Sequence, residues 1–228
     1  MSKKATLVLG LILSLNSALT AQTNPGADSK AHFSAGLLMG YSSGFSIQGY
    51  GLVSNFAEGF PLRARLGLGY VATEPGDALA ARRIFINDAT NGIHEESGRT
   101  WALKLDVQYP VSLLSMERAF LFGGLRYARF TGNFKFVGGN EDFDVTSNHW
   151  GLGAGLESYF MVSPRFDMVL TAGLDYFFSS SLSGHDTSYS PEGEDQNPRN
   201  DYTYSDADAA IGQPKLDPVL MLGFAYNF

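Results

Sequence analysis

Cysteine is absent from all 228 residues. That excludes a disulfide framework, a thiolate metal centre and a lipidated cysteine, and it leaves stability to the fold alone. Histidine is scarce at four residues, so few positions could act as a general base near neutral pH. Positive charge is also in short supply. Lys and Arg number 16 against 23 acids, a net of −7, which argues against nucleic acid as a partner, since that needs clustered cations. Finally, no apolar run is long enough for a transmembrane helix. The one near the N-terminus, Ala5 to Leu15, has eleven residues where about 20 are needed. A chain like this crosses a membrane as strands or not at all.

That short run has another use. Ser2-Lys3-Lys4 gives a basic start, the apolar stretch follows, and Asn16 to Ala21 is small and polar. This is the layout of a cleaved secretory signal. Residues 1–21 are expected to be the signal peptide, although Leu19 is bulky for its place before the cut. Residues 22–30 form a short N-terminal segment, and residues 31–228 form one domain. Cleavage removes Lys3 and Lys4 and no acid, so the charge moves from −7 to −9.

Glycine is plentiful at 26 residues and aromatics reach 13 %, a pairing expected of β-barrels with small interior residues and aromatic girdles. The last segment, Pro218 to Phe228, sets Leu220, Leu222, Phe224, Tyr226 and Phe228 against Gly223, Ala225 and Asn227. A period of two makes one strand face greasy and the other small or polar. An apolar strand at a chain end is expected to fray in water, whereas in a closed membrane barrel it pairs with the first strand.

Seven other segments alternate in the same way: 31–41, 45–53, 62–71, 100–109, 119–136, 145–160 and 166–178. The fourth is the most regular, with Trp101, Leu103, Leu105, Val107 and Tyr109 opposing Thr100, Ala102, Lys104, Asp106 and Gln108. In the fifth, Phe120 and Phe122 disturb the register; Leu121, Gly123, Leu125 and Tyr127 are assigned outward and Arg126 inward, with Arg129 near the outer rim. Eight strands is an even count, as a single-chain bacterial barrel requires. The gaps 54–61, 110–118 and 161–165 are short. They alternate with two long polar ones, 72–99 and 179–214, and a moderate one, 137–144; only the tight gap at Ser42 to Gly44 departs from the trend. Short turns on one side and long loops on the other match an outer-membrane barrel.

On that alternation, and on the ending Leu220, Leu222, Phe224, Tyr226 and Phe228, the chain resembles the small eight-stranded outer-membrane proteins of the OmpA, OmpX and OmpW type. The resemblance implies an all-β, eight-stranded antiparallel up-and-down transmembrane barrel in a bacterial outer membrane. It also implies a terminal strand, ending at Phe228, that the barrel-assembly machinery reads.

The inward set is His32, Arg63, Arg65, Lys104, Asp106, Arg126, Glu157, Asp167, Asp175 and Asp217. Eight strands leave an interior that side chains just fill, and charges of both signs there should pair. A filled, salt-bridged lumen is the expected outcome, with a narrow path for small polar or amphipathic solutes as the alternative. A lipid-modifying enzyme is a third reading. For it, the strongest pair is Ser147 and His149, which share the lumen side of strand six, but no third group is evident. No catalytic, cofactor-binding or metal-binding set is assigned.

The loop from Ser179 to Pro214 carries Asp186, Glu192, Glu194, Asp195, Asp201, Asp206 and Asp208. It reads as a solvated acidic loop; Ca²⁺ would suit carboxylates, yet the spacing fits no EF-hand. Tyr189, Tyr202 and Tyr204 within it suit contact with other surfaces. Arg82 and Arg83, in Ala80-Ala81-Arg82-Arg83, are candidates for lipopolysaccharide phosphates, or simply a solvated turn. The sequence points to a monomeric envelope protein with a structural or surface-interaction role, whose partners are membrane lipid and lipopolysaccharide.

Overall fold

The computed structural model describes residues 31–57, 59–89, 91–113 and 116–228, so the expected signal peptide and segment 22–30 lie outside the described residues. Eight long strands form a closed wall: β1 (His32–Ser42), β2 (Phe45–Ser54), β3 (Arg63–Thr73), β4 (Ile93–Leu113), β5 (Met116–Val137), β6 (Asp142–Ser163), β7 (Phe166–Phe177) and β10 (Leu216–Asn227). Each pairs antiparallel with its neighbour in sequence, and β1 pairs with β10, from Ser34 opposite Asn227 to Ser42 opposite Val219. Closure removes the exposed edges that an open sheet of this hydrophobicity would carry. The weak second strand pairs fully, from Phe45 opposite Ala72 to Val53 opposite Ala64.

The period of two decides which solvent each side chain meets. Leu66, Leu68, Leu105, Leu152, Leu174, Leu220 and Leu222 point outward and are each about half exposed. In water such a continuous apolar surface would be an aggregation site; lipid removes that penalty. Aromatic pairs ring the wall near both ends. Tyr70 meets Trp101 and Tyr127 meets Trp150, each at 5.1 Å, towards the end with the long connections. Phe166, Tyr226 and Phe228 stack in sequence at 5.1 and 5.0 Å at the end where β1 starts and β10 finishes. These are the interfacial belts of a membrane barrel.

The long connections are not the polar solvated loops expected. Strand β4 starts at Ile93 rather than Thr100, and β6 at Asp142 rather than Val145. With 21, 22 and 22 residues, β4, β5 and β6 are twice the roughly 9–11 residues of a tilted span, so they continue beyond the wall as a free-standing sheet. There the lumen-facing parity turns apolar: Phe130, Phe134, Phe136, Phe143 and Val145 are all buried. They are covered by helices α1 (Ala78–Phe85) and α2 (Tyr204–Ala210) and by a small hairpin of β8 (Leu182–Ser183) and β9 (Ser188–Tyr189).

The covering elements are locally specified. Asp77 caps α1, its carboxylate accepting from Ala80 N–H at 2.9 Å, and Ala78, Ala81, Ile84 and Phe85 form the buried face. The two connections are tied together at Gly76, whose φ of 113° and close approach to the Ala210 carbonyl leave no room for a side chain. Asp77 N–H donates to that carbonyl at 2.8 Å, and Gly212 N–H to Pro75 O at 2.9 Å. The result is a dome with its own hydrophobic core over one mouth of the barrel.

Candidate functional site

The lumen is layered along the barrel axis, and the centre holds a belt of charge. On β3 and β4 the register puts Arg65 opposite Asp106, and on β4 and β5 it puts Lys104 opposite Arg126. Asp106 accepts from Arg65 Nη2 at 2.7 Å and from Arg126 Nη1 at 2.6 Å. Asp175, reaching in from β7, accepts from Arg126 Nε at 2.6 Å and from Lys104 Nζ at 2.8 Å. Arg65 also pairs with Glu157. Glu157 further accepts from Gln108 at 2.7 Å, the Tyr159 hydroxyl at 2.6 Å and the Thr171 hydroxyl at 2.8 Å.

Three cations therefore meet three carboxylates in one connected network, each nearly or fully buried. Burying single charges costs several kcal/mol each, and only mutual pairing with further hydrogen bonds offsets that. Aromatic faces complete the belt: Phe122 lies 5.0 Å from the Arg65 guanidinium and 6.0 Å from that of Arg126. Gly153 is the floor beneath the network, since any Cβ there would strike Arg126 and Asp175. On the flank formed by β1, β2, β7 and β10 the lumen is instead apolar, packed with Leu38, Tyr50, Leu52, Val169 and Met221.

On either side of the belt lies a cavity. Towards the dome, about 360 Å³ is lined by Ser42, Ser43, Thr100, Lys104, Gln213 and Asp217 among others, and Asp217 accepts from the Ser43 hydroxyl at 2.8 Å. Towards the end carrying Phe228, about 500 Å³ is lined by His32, Arg63, Arg118, Phe120, Asp167 and Asn227 among others.

All ten expected inward residues sit on the lumen side or its rims, His32 at the exposed rim of the second cavity. The belt joins six of them. Arg63, Asp167 and Asp217 stand outside it, and Asp167 pairs with Arg118 at 2.6 Å, a partner the sequence reading did not assign. The apolar flank was also missed, although Leu38 already broke the alternation of β1.

Ser147 and His149 do meet. The Ser147 Oγ lies 2.7 Å from His149 Nε2, and His149 Nδ1 lies 3.0 Å from the Phe178 carbonyl. The carbonyl requires Nδ1–H, which leaves Nε2 to accept from the serine hydroxyl. The third group is thus a main-chain oxygen, which no sequence reading could supply. Both side chains are only 1–2 % exposed beneath the dome, so Ser147 Oγ is shielded from solvent.

The loop assignments need correction. Arg82 does not face phosphates: it is buried, pairs with Glu141, donates to Asn91 O at 2.8 Å and stacks on Phe136 at 4.5 Å. The helix α1 turns it inward, while Arg83 stays exposed. Tyr189 is no contact residue either. It is fully buried, donates to Ile84 O at 3.1 Å and packs edge-on against Phe85. Burial pushes its hydroxyl pKa up. The acids are exposed or half-exposed, but several hold local structure: Asp206 caps α2 and Asp195 accepts from Ser190 N–H at 2.7 Å.

A closed eight-stranded wall, lipid-type exterior, two aromatic girdles and a polar filled interior define an integral membrane β-barrel of the outer-membrane type. Comparison with known proteins agrees. The chain is similar to a major outer membrane protein from Thermus thermophilus, at 26 % identity and a TM-score of 0.70, over 87 % of this chain and 99 % of that one. Two further solved structures are too distant to bear on this chain. Neisserial surface protein A matches at 12 % identity and TM-score 0.40, over 87 % of this chain and 96 % of that one. The attachment invasion locus protein Ail of Yersinia pestis matches at 14 % and 0.42, over 87 % and 97 %. No family model matches the chain, and no curated protein does.

Proposed function

We propose that this is a monomeric protein of a bacterial outer membrane, exported by an N-terminal signal peptide, with a structural or surface-interaction role rather than a transport role. The observation that carries the reading is the charge-neutral belt, in which every carboxylate and cation is spent on a neighbour. The dome is placed outside the cell and the end carrying Phe228 in the periplasm, in keeping with short turns there. Lipid covers the wall. Arg99 and Arg129, exposed on the outward parity beside Trp101, are better placed than Arg82 for lipopolysaccharide phosphates. The terminal strand ending at Phe228 is offered to the barrel-assembly machinery.

Two other readings have an observation each. The cavities flanking the belt leave it as the barrier to a narrow passive route, and Ser147 with His149 has the reach of a nucleophile and base. Single-channel recording in planar bilayers tests the first: the proposal expects no steady openings, and a reproducible conductance would replace it with the channel reading. Lipid A and phospholipid profiles from cells expressing the protein or its Ser147→Ala variant test the second. Any acyl-chain change that needs Ser147 would contradict the proposal.

A further inference from the structure

Arg63 breaks the pattern of the lumen. Arg65, Lys104 and Arg126 are each ion-paired, but Arg63 makes no ion pair or hydrogen bond among the described residues. Its Nε is buried without an acceptor. What holds it is aromatic: the guanidinium carbon lies 4.1 Å from the Phe120 ring centre and 4.6 Å from that of Tyr159. The nearby carboxylate is engaged by other groups. Asp167 already accepts from Arg118 Nη1 at 2.6 Å and Nη2 at 3.0 Å, and from Asn227 Nδ2 at 2.9 Å.

Arg118 leans on the same ring, 5.5 Å from the centre of Tyr159, and is 41 % exposed. Two guanidiniums thus share one aromatic platform and one carboxylate, already engaged by Arg118 and Asn227, facing a cavity of about 500 Å³. Of the Asp, Glu, Lys and Arg side chains lining it, two are cations, Arg63 and Arg118, and one is an anion, Asp167. Aromatic stacking fixes the plane of a guanidinium while leaving its N–H edge free, which is the geometry for a planar or tetrahedral oxyanion. The neutral belt lies between this cavity and the one beneath the dome.

We propose that this vestibule is a binding site for a small oxyanion, phosphate-type or carboxylate, held by Arg63 and steadied by Arg118. The proposal rests on the membrane reading only for which compartment supplies the ligand. Its chemistry stands without that reading, and so does its test.

The test is a side-chain titration of the full mature chain in detergent micelles with ¹⁵N-labelled arginine. Inorganic phosphate is added in one arm, acetate in a second and chloride at matched ionic strength in a third. The expected result is a saturable shift of the Arg63 Nε–H resonance with phosphate or acetate, still Arg65 and Arg126 resonances, and no saturation with chloride. Whichever anion saturates at lower concentration identifies the ligand class. Arg118→Gln should raise the half-saturating concentration about tenfold, a loss of about 1.4 kcal/mol, with the barrel still folded. An Arg63 resonance that does not saturate with either oxyanion, or that moves equally with chloride, overturns the proposal. Neither outcome depends on whether the barrel conducts.

Discussion

At the scale of the residue, Asp106 is the position on which the belt turns. Its two oxygens serve Arg65 and Arg126 separately, so Asp106→Ala leaves two buried guanidiniums each short of a partner. Breaking a buried pair by deleting one member costs about 3–5 kcal/mol. The midpoint of urea unfolding in lipid bilayers should fall accordingly, and an unchanged midpoint would show that water, not Asp106, satisfies those arginines. His149→Ala should cost less, about 1–3 kcal/mol, because the buried Ser147 hydroxyl and Phe178 carbonyl both lose a partner, and leave lipid profiles unaltered. The charges themselves were legible in the sequence, because Arg63, Arg65, Lys104 and Asp106 fell on inward parity. Their partners were not. Phe120 and Phe122 read as disturbances of register when their task is to face Arg63, Arg65 and Arg126.

At the scale of the element, the dome behaves as a small soluble core attached to the barrel. Phe85 is its keystone, buried and edge-on to Tyr189. Phe85→Ala should cost about 3–5 kcal/mol of local stability. The expected signature is protease cleavage within 74–92 or 178–215 while the barrel keeps its heat-modifiable migration on gels. If barrel and dome were lost together, they would be one cooperative unit and not two. Helix α2 adds a pH dependence. The Thr203 hydroxyl and N–H donate to Asp206 at 2.6 and 2.8 Å and hold its carboxyl below the usual range. A depressed folded-state pKa means stabilisation that is present above the ordinary carboxylate value and is lost as pH falls through the depressed one. A ¹³C titration of the Asp206 carboxyl should show that downward displacement, and Thr203→Ala, which keeps the N–H donor, should reduce it; a titration at the ordinary carboxylate value in the unmutated chain would refute the cap.

Both helices had local signals. Asp77 precedes an alanine-rich run, and Thr203 stands three residues before Asp206 and near Ala207, Ala209 and Ala210. Acid-rich and glycine-rich surroundings hid them, because a seven- or eight-residue helix is not stable alone and forms only against Phe130, Phe134 and Phe136. The alternation puts those three phenylalanines in a strand. What lay beyond sequence reading was that the strand outruns the membrane and needs a cover.

At the scale of the whole molecule, closure was the most legible property. It follows from alternation in Leu220 to Phe228 and in Trp101 to Tyr109, where a slip of one residue would put Lys104 and Asp106 into lipid. Two cavities with room for solvent lie within the wall, one beneath the dome and one at Arg63, with the belt between them. Because the chain has no cysteine, single cysteines report this directly. Ser34→Cys lies in the vestibule, Ser43→Cys in the cavity under the dome, and Thr171→Cys in the belt beside Glu157. Each is reconstituted and exposed to a charged thiol reagent on both faces of the membrane. Labelling of the first two and protection of Thr171→Cys until the barrel is unfolded is the predicted result. Labelling of Thr171→Cys in the folded barrel, at the rate of the other two, would mean that water crosses the belt and that the lumen is open.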